Sequence, residues 1–290
     1  MLKGLILEVT GGGLLKENLN RDGLPWRETV GGTAAELRRA AGELAAQPRE
    51  LLCLVETDRQ EKIALEGGFF CIGYLNPQLP DERLSGCKIL LEGFQEVDAP
   101  FLRNVHTRAL GLPVQIAETE HLLIREMTLS DLEEVNELYR RNESFQIEEA
   151  EETRGLTPQE DEEKVRAYID YMYGLYQFGM WVVIEKNSGR LIGRAGFGIA
   201  DYLDFSEVDL GYLMDRDYRR RGYAEEACRA VLAYGTRTLE FEQVAAYVEE
   251  ENRKSRRLLE KLGFDRERIF RYHEKNLYRY IRKNKGETDA

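Results

Sequence analysis

No apolar run in the chain approaches the roughly 18 residues a transmembrane helix requires, so no membrane span is expected. Basic charge is short: 41 Lys and Arg stand against 53 Asp and Glu, a formal net charge of -12. A balance that acidic sets nucleic acid aside as a partner. Histidine is scarce, with His106, His121 and His273 alone, and the four cysteines have no close spacing. Metal-type Cys/His clusters are therefore missing, no metal is expected, and the histidines read as structural or surface residues. Cys53 and Cys71 sit inside apolar, strand-like runs, where a thiol behaves as a small hydrophobe. That usage fits a reducing, cytoplasmic setting. The opening stretch Met1 to Glu8 is too short in its apolar part for a signal peptide, so no leader is expected.

What is present divides into two halves, as 290 residues allow. The second half alternates strand-like and helix-like segments. His121 to Met127 reads as a strand, and Ser130 with Glu133 as a capping box. Thr157, Pro158 and Glu160 mark a helix start, and that helix is expected to reach Phe178. Trp181 to Glu185 and Arg190 to Ile199 read as a hairpin, Glu207 to Met214 and Val244 to Val248 as strands, and Tyr272 to Arg282 as the closing strand. Arg219-Arg220-Arg221-Gly222-Tyr223-Ala224 joins a strand to a helix. A Gly-containing turn at a helix N-terminus presents backbone N–H groups to an anion.

The pattern Arg-x-x-Gly-x-Ala resembles the pyrophosphate loop of the GNAT superfamily of N-acetyltransferases. The likeness extends to Asn252-Arg253-Lys254-Ser255, which opens a helix closed by Lys261-Leu262-Gly263-Phe264. The resemblance implies an α/β fold: a GNAT mixed-sheet acetyltransferase domain over residues 119 to 290. It implies acetyl-coenzyme A as cosubstrate, held by Leu213, Met214, Arg219, Arg220, Arg221, Gly222, Tyr223, Ala224, Asn252 and Ser255.

Acetyl transfer to an amine needs a base, because an alkyl ammonium has a pKa of roughly 10.4. Glu207 and Asp209 lie two residues apart and share one strand face. Asp209-Leu210-Gly211-Tyr212 resembles the family's Glu-Ile-Gly-Tyr, whose carboxylate takes the amine proton. Asp209 and Glu207 are thus candidate bases, and Ser255 joins the catalytic candidates. The family's tyrosine acid is replaced here by Leu259, which leaves Ser255, Tyr212 or water to serve the thiolate. A leucine there resembles the ribosomal-protein acetyltransferase branch, whose acceptors are N-terminal or small-molecule amines. Nine acidic residues between Glu143 and Glu163, against Arg154, suggest a negative rim for a cationic acceptor. A coenzyme A-binding regulatory protein without turnover is the other reading, and the sequence does not define an oligomeric state.

The first 115 residues read as a small Rossmann-like parallel-sheet domain: strands at Leu2–Leu7, Leu51–Val55, Phe69–Leu75 and Lys88–Leu91, with helices after Thr33, from Gln60 to Glu66 and from Pro100 to Leu110. Leu112 to Thr119 is the expected linker. Leu54-Val55-Glu56-Thr57-Asp58 and Ala64-Leu65-Glu66-Gly67-Gly68-Phe69 resemble a degenerate haloacid-dehalogenase domain. In that family an aspartate nucleophile and a second aspartate occupy the positions that read Glu8 and Thr10 here. Glu56 and Asp58 stand where the family keeps magnesium ligands. They read as surface carboxylates, with a residual metal site as the alternative. The domain is expected to be a scaffold, the alternative being a bifunctional phosphatase-acetyltransferase.

Overall fold

The computed structural model describes residues 1–142, 156–273 and 275–284. The chain divides into two compact units, Met1–Val114 and Gln115–Ala290.

The first unit is a five-stranded parallel sheet in the order β2-β1-β3-β4-β5. Its elements are β1 (Gly4–Glu8), α1 (Gly13–Arg21), β2 (Trp26–Glu28), α2 (Ala34–Glu43), β3 (Leu51–Val55), α3 (Asp58–Glu66), β4 (Phe70–Tyr74), β5 (Leu90–Leu91) and α4 (Ala99–Ala109). Strands β1 and β3 are buried at every residue, because helices cover both faces. Leu5, Leu7, Leu52 and Leu54 form one core with Leu15, Leu19, Leu102 and Val105. Ile6, Cys53 and Val55 form another with Leu37, Ala40 and Ala64. Alternation along two adjacent strands thus feeds two cores.

Two of these elements, α1 and β2, were not expected. Helix α1 starts after Gly11 and Gly12 with no side-chain cap, so the usual start signal is missing. The helices expected to start after Thr33 and Thr157 do so, each with a capping box, formed with Glu36 and Glu160 respectively.

The second unit is an eight-stranded sheet, β12-β13-β11-β10-β9-β8-β7-β6. It comprises β6 (Gln115–Glu118), β7 (Leu122–Arg125), α5 (Leu132–Arg141), α6 (Pro158–Tyr168), a π-helix (Ile169–Tyr176), β8 (Met180–Glu185), β9 (Arg190–Ala200), β10 (Glu207–Met214), α7 (Tyr223–Arg237), β11 (Gln243–Glu249), α8 (Arg253–Lys261), β12 (Asp265–Tyr272) and β13 (Lys275–Lys283). Every neighbouring pair is antiparallel except β10 and β11, which run parallel and are joined by α7. Trp181, Phe197, Tyr234 and Phe241 pack edge-to-face between α7 and the sheet. Gly235 accommodates them: a Cβ there would lie 2.6 Å from Phe197 Cζ.

Several boundaries differ from expectation. Residues 115–118 of the expected linker form β6, which pairs with β7. The box near residue 130 uses Thr128 and Asp131 rather than Ser130 and Glu133. Asp131 accepts from the Thr128 N–H and hydroxyl and also holds Arg125 at 2.7 Å. The helix after Thr157 becomes a π-helix at Ile169. The closing strand is a hairpin, with Tyr272 ending β12 and β13 following.

Candidate active site

Strand β10 meets β11 through a single registered pair, Asp209 opposite Ala245. Beyond it the two parallel strands separate, and the β11-facing backbone groups of Leu210 to Met214 have no ladder partner. A cleft of about 2080 Å³ opens there, lined on one side by Asp209 to Met214 and on the other by Ala246, Val248 and the start of α8. An unpaired strand edge of this kind accepts an extended ligand through backbone hydrogen bonds.

The separation is pinned at one end. Arg279 of β13 donates two hydrogen bonds to Glu207 of β10, both at 2.6 Å. Tyr247 of β11 donates to the same carboxylate, and Arg279 also donates to Glu267 of β12. Burial pushes the Glu207 pKa up, but the bonds from Arg279 and Tyr247 outweigh it and hold the carboxyl below its ordinary 4.5. A carboxylate so engaged is a poor proton acceptor. Glu207, a candidate base in the sequence, is thus engaged as the ion-pair partner of an arginine 72 residues away, a pairing its spacing does not reveal.

The other end carries the glycine turn. Gly222 has φ +86° and caps α7, and Arg220 has φ +64°. No side chain caps this helix. Its first intrahelical bond runs from the Glu226 N–H to the Gly222 carbonyl, so the N–H groups of Tyr223, Ala224 and Glu225 precede the ladder. The acids of this first turn are already engaged. Glu225 pairs with Arg229 and Lys261, and Glu226 accepts from Thr119 and His121. The N-terminus thus keeps its positive character for an anion.

The three arginines differ. Arg219 donates to the Met214 carbonyl at 3.1 Å and to Asn142, so its side chain braces the end of β10. Arg221 donates to the Asp217 carbonyl and lies 4.9 Å over the Tyr218 ring, outside the cleft lining. Arg219 nonetheless lines the cleft, while the Arg221 side chain is turned back onto the turn itself. Arg220 is exposed and lines the cleft. Leu213 and Met214 also line it, close against Gly193, where a Cβ would lie 2.4 Å from the Leu213 oxygen.

Asp209 lines the cleft beside Gly198, whose Cβ would fall 2.9 Å from Asp209 Oδ1. On the opposite strand face Tyr212 shares a hydrogen bond with Ser255; burial lifts its pKa, which is pushed up to about 12 despite that bond. The Ser255 N–H donates to Asn252 Oδ1, so Asn252 is the α8 N-cap as well as a lining residue. Leu259 is buried and offers apolar packing at the position of the family's tyrosine. The Tyr212–Ser255 pairing was not legible from sequence, since 43 residues separate the partners. In the acidic run, Glu143, Glu148, Glu149, Glu151 and Glu152 lie outside the described residues. Glu160 to Glu163 begin α6 and do not line the cleft.

The Acetyltransferase (GNAT) domain model matches residues 121–265, half of the chain. The chain belongs to the GNAT acetyltransferase family. That family uses acetyl-coenzyme A. Among relatives, the uncharacterized N-acetyltransferase p20 of Bacillus licheniformis is 29% identical over 166 residues, covering 56% of this chain and 89% of its own. The uncharacterized N-acetyltransferase YnaD of Bacillus subtilis is 30% identical over 155 residues, covering 53% and 84%. Two solved structures share the fold. A GNAT-family acetyltransferase of Bordetella pertussis has a TM-score of 0.50 at 21% identity, covering 57% of this chain and 98% of that one. RimL, a ribosomal L7/L12 alpha-N-protein acetyltransferase in complex with coenzyme A, has 0.50 at 14%, covering 59% and 98%.

In the first unit the sites expected of a phosphatase are occupied by internal bonds. Glu8 is buried and accepts from the Thr29 hydroxyl at 2.6 Å, and burial raises its pKa. Thr10 donates its N–H and hydroxyl to Glu56. Glu56 is buried rather than a surface carboxylate, while Asp58 accepts from the N–H groups of Arg83 and Leu84. Among the described residues no three His, Cys, Asp or Glu side chains gather as a metal site. Nor is any described helix long and apolar enough to cross a membrane.

Two outcomes follow from this geometry. Gly222→Val should reduce the stabilisation by coenzyme A in thermal melts, an affinity loss of roughly 10- to 100-fold from forcing a β-branched residue into the left-handed region. Open space surrounds the Gly222 Cβ position, so a variant binding normally would show that the turn is not the anion site. Glu207→Gln should cost about 2 kcal/mol in urea unfolding near neutral pH. Because folding lowers the Glu207 pKa below 4.5, the contribution is present above that value and is lost as pH falls through the folded pKa. A wild-type-minus-variant difference that stays constant into acid would contradict the ion-pair role.

Proposed function

We propose that the protein transfers an acetyl group from acetyl-coenzyme A to a primary amine, on a small molecule or a protein N-terminus. The observation that carries the reading is the divergence of β10 from β11 at Asp209, with the uncapped α7 N-terminus at its far end. Acetyl-coenzyme A supplies the activated thioester. Residues of this chain do the rest. The N–H groups of Gly222 to Glu225 hold the pyrophosphate, with Arg220 beside it. The open edge of β10 orients the pantetheine arm, and its N–H groups are the donors available to a developing oxyanion.

Asp209 takes the proton of the incoming amine, directly or through one water. The N–C bond forms, the C–S bond breaks, and the sulfur leaves as a thiolate. Tyr212, held by Ser255, is protonated at neutral pH and donates a hydrogen bond to that sulfur. Its pKa of about 12 makes it a weak proton source for a thiol of pKa roughly 8.5. Solvent therefore completes the protonation, which lets the site work with leucine at position 259. A cationic acceptor suits the carboxylate at Asp209.

A second reading, coenzyme A binding without turnover, is favoured by the buried Leu259. Free-thiol release with a panel of amines separates the two. Thiol release that depends on an amine supports transfer; coenzyme A stabilisation without thiol release from any amine supports the second reading. With an active amine, Asp209→Asn should lower turnover by roughly 10²–10⁴-fold with coenzyme A binding intact. An unchanged pH-rate profile in that variant would move the base elsewhere.

The first unit is proposed to be a degenerate haloacid-dehalogenase-like scaffold. Its three free thiols, and Cys228 of the second unit, are buried or half-buried and suit a reducing cytoplasmic setting. A carboxyl turned inward onto Thr29 does not reach a phosphate ester. Magnesium-dependent hydrolysis of p-nitrophenyl phosphate should not exceed that of Glu8→Ala; turnover that vanishes in this variant would make the protein bifunctional.

A further inference from the structure

We propose that Met180 sets the length of the acyl group accepted, admitting acetyl and excluding longer straight chains. The proposal rests on the acetyltransferase reading above. Met180, Gly196 and Gly211 form one row across three strands: Met180 is opposite Gly196, and Gly196 is opposite Gly211. The start of β8 crosses directly over the middle strand. A Cβ at Gly196 would lie 2.0 Å from the Gly179 oxygen and 2.8 Å from Met180 Cα. The Phe197 N–H fixes that crossing by donating to the Gly179 carbonyl at 3.1 Å.

The crossing carries the Met180 thioether on to β10. A Cβ at Gly211 would lie 2.9 Å from Met180 Sδ and 3.3 Å from its Cε. Two glycines thus make the space that one methionine fills. Gly211 is two residues from Asp209, so both project to the same face of β10. Met180, Gly211 and Asp209 all line the cleft. The thioether is therefore an apolar group beside the carboxylate that takes the amine proton.

Methionine side chains are usually adaptable, but this one starts from a fixed backbone. The Met180 N–H donates to the Tyr168 hydroxyl at 2.6 Å. Its carbonyl accepts from the Tyr173 hydroxyl at 2.6 Å and from Arg194 at 2.8 Å. Tyr173 is fully buried, which makes the clamp part of the core. The acyl carbon must lie within reach of an amine at Asp209, so the chain beyond that carbon meets the Met180 thioether. Each additional methylene against a packed wall costs roughly 10-fold or more in kcat/KM.

The test uses the full chain with acetyl-, propionyl- and butyryl-coenzyme A, measuring transfer to an active amine and, separately, calorimetric binding without acceptor. The wild type should prefer acetyl over butyryl by roughly 100-fold in kcat/KM. Met180→Ala should reduce that preference at least tenfold and should raise butyryl-coenzyme A affinity relative to acetyl-coenzyme A, with free coenzyme A binding unchanged. Met180→Leu, similar in volume, should keep the preference. Met180→Val provides a second shortened side chain suited to a strand if the alanine variant is poorly folded. Preferences unchanged in the shortened variants, or a wild type that handles butyryl as well as acetyl, would overturn the proposal. If no amine is acylated at all, the acetyltransferase reading fails. The binding measurement then decides for Met180 independently: identical acetyl-to-butyryl affinity ratios in wild type and Met180→Ala would reject it.

Discussion

The parting of β10 from β11 is the constraint on which the second unit depends. Two parallel strands that stay paired would satisfy their own backbone and leave no room between them. Here registered pairing is confined to Asp209 and Ala245, and the backbone groups beyond it face the cleft. Such an opening needs anchors at both ends. Glu207, Tyr247 and Arg279 tie β10, β11 and β13 together on one side. Arg219, bonded to Met214 and Asn142, steadies the diverging end. The connecting helix α7 then begins where the cleft ends, with its N–H groups uncapped.

This arrangement explains why residues that look alike in the sequence do different work. Glu207 and Asp209 share a face of one strand, yet one is sealed into a buried ion pair and the other lies in the cleft. Arg219, Arg220 and Arg221 are consecutive, yet Arg219 is bonded to Met214 and Asn142, Arg221 is bonded to Asp217 outside the cleft, and Arg220 is exposed in its lining. The glycines are equally divided in purpose. Gly222 supplies a left-handed turn, whereas Gly196 and Gly211 supply room for a crossing chain and a thioether.

The features legible in the sequence were local ones. The turn at Gly222, the Asn252 cap and the Thr33 and Thr157 boxes depend on neighbours three or four residues away, and each leaves a pattern in the chain. The strand order followed from the family likeness more than from periodicity. What stayed hidden were pairings across long separations: Glu207 with Arg279, Tyr212 with Ser255, and Met180 with Gly211. Helix α1 was missed because glycines, not a capping side chain, precede it. The closing strand was expected to begin at Tyr272, which instead ends β12, because the turn there carries no glycine to mark it; His273 itself takes φ +50°.

A crystal structure of the protein with coenzyme A tests the central claim most directly. The account predicts the pyrophosphate on the N–H groups of Gly222 to Glu225, and the pantetheine arm extended along β10 in the gap facing β11. The thiol should lie near Asp209 and Tyr212. Coenzyme A bound elsewhere, or a cleft in which β10 and β11 close up and pair beyond Asp209, would contradict it.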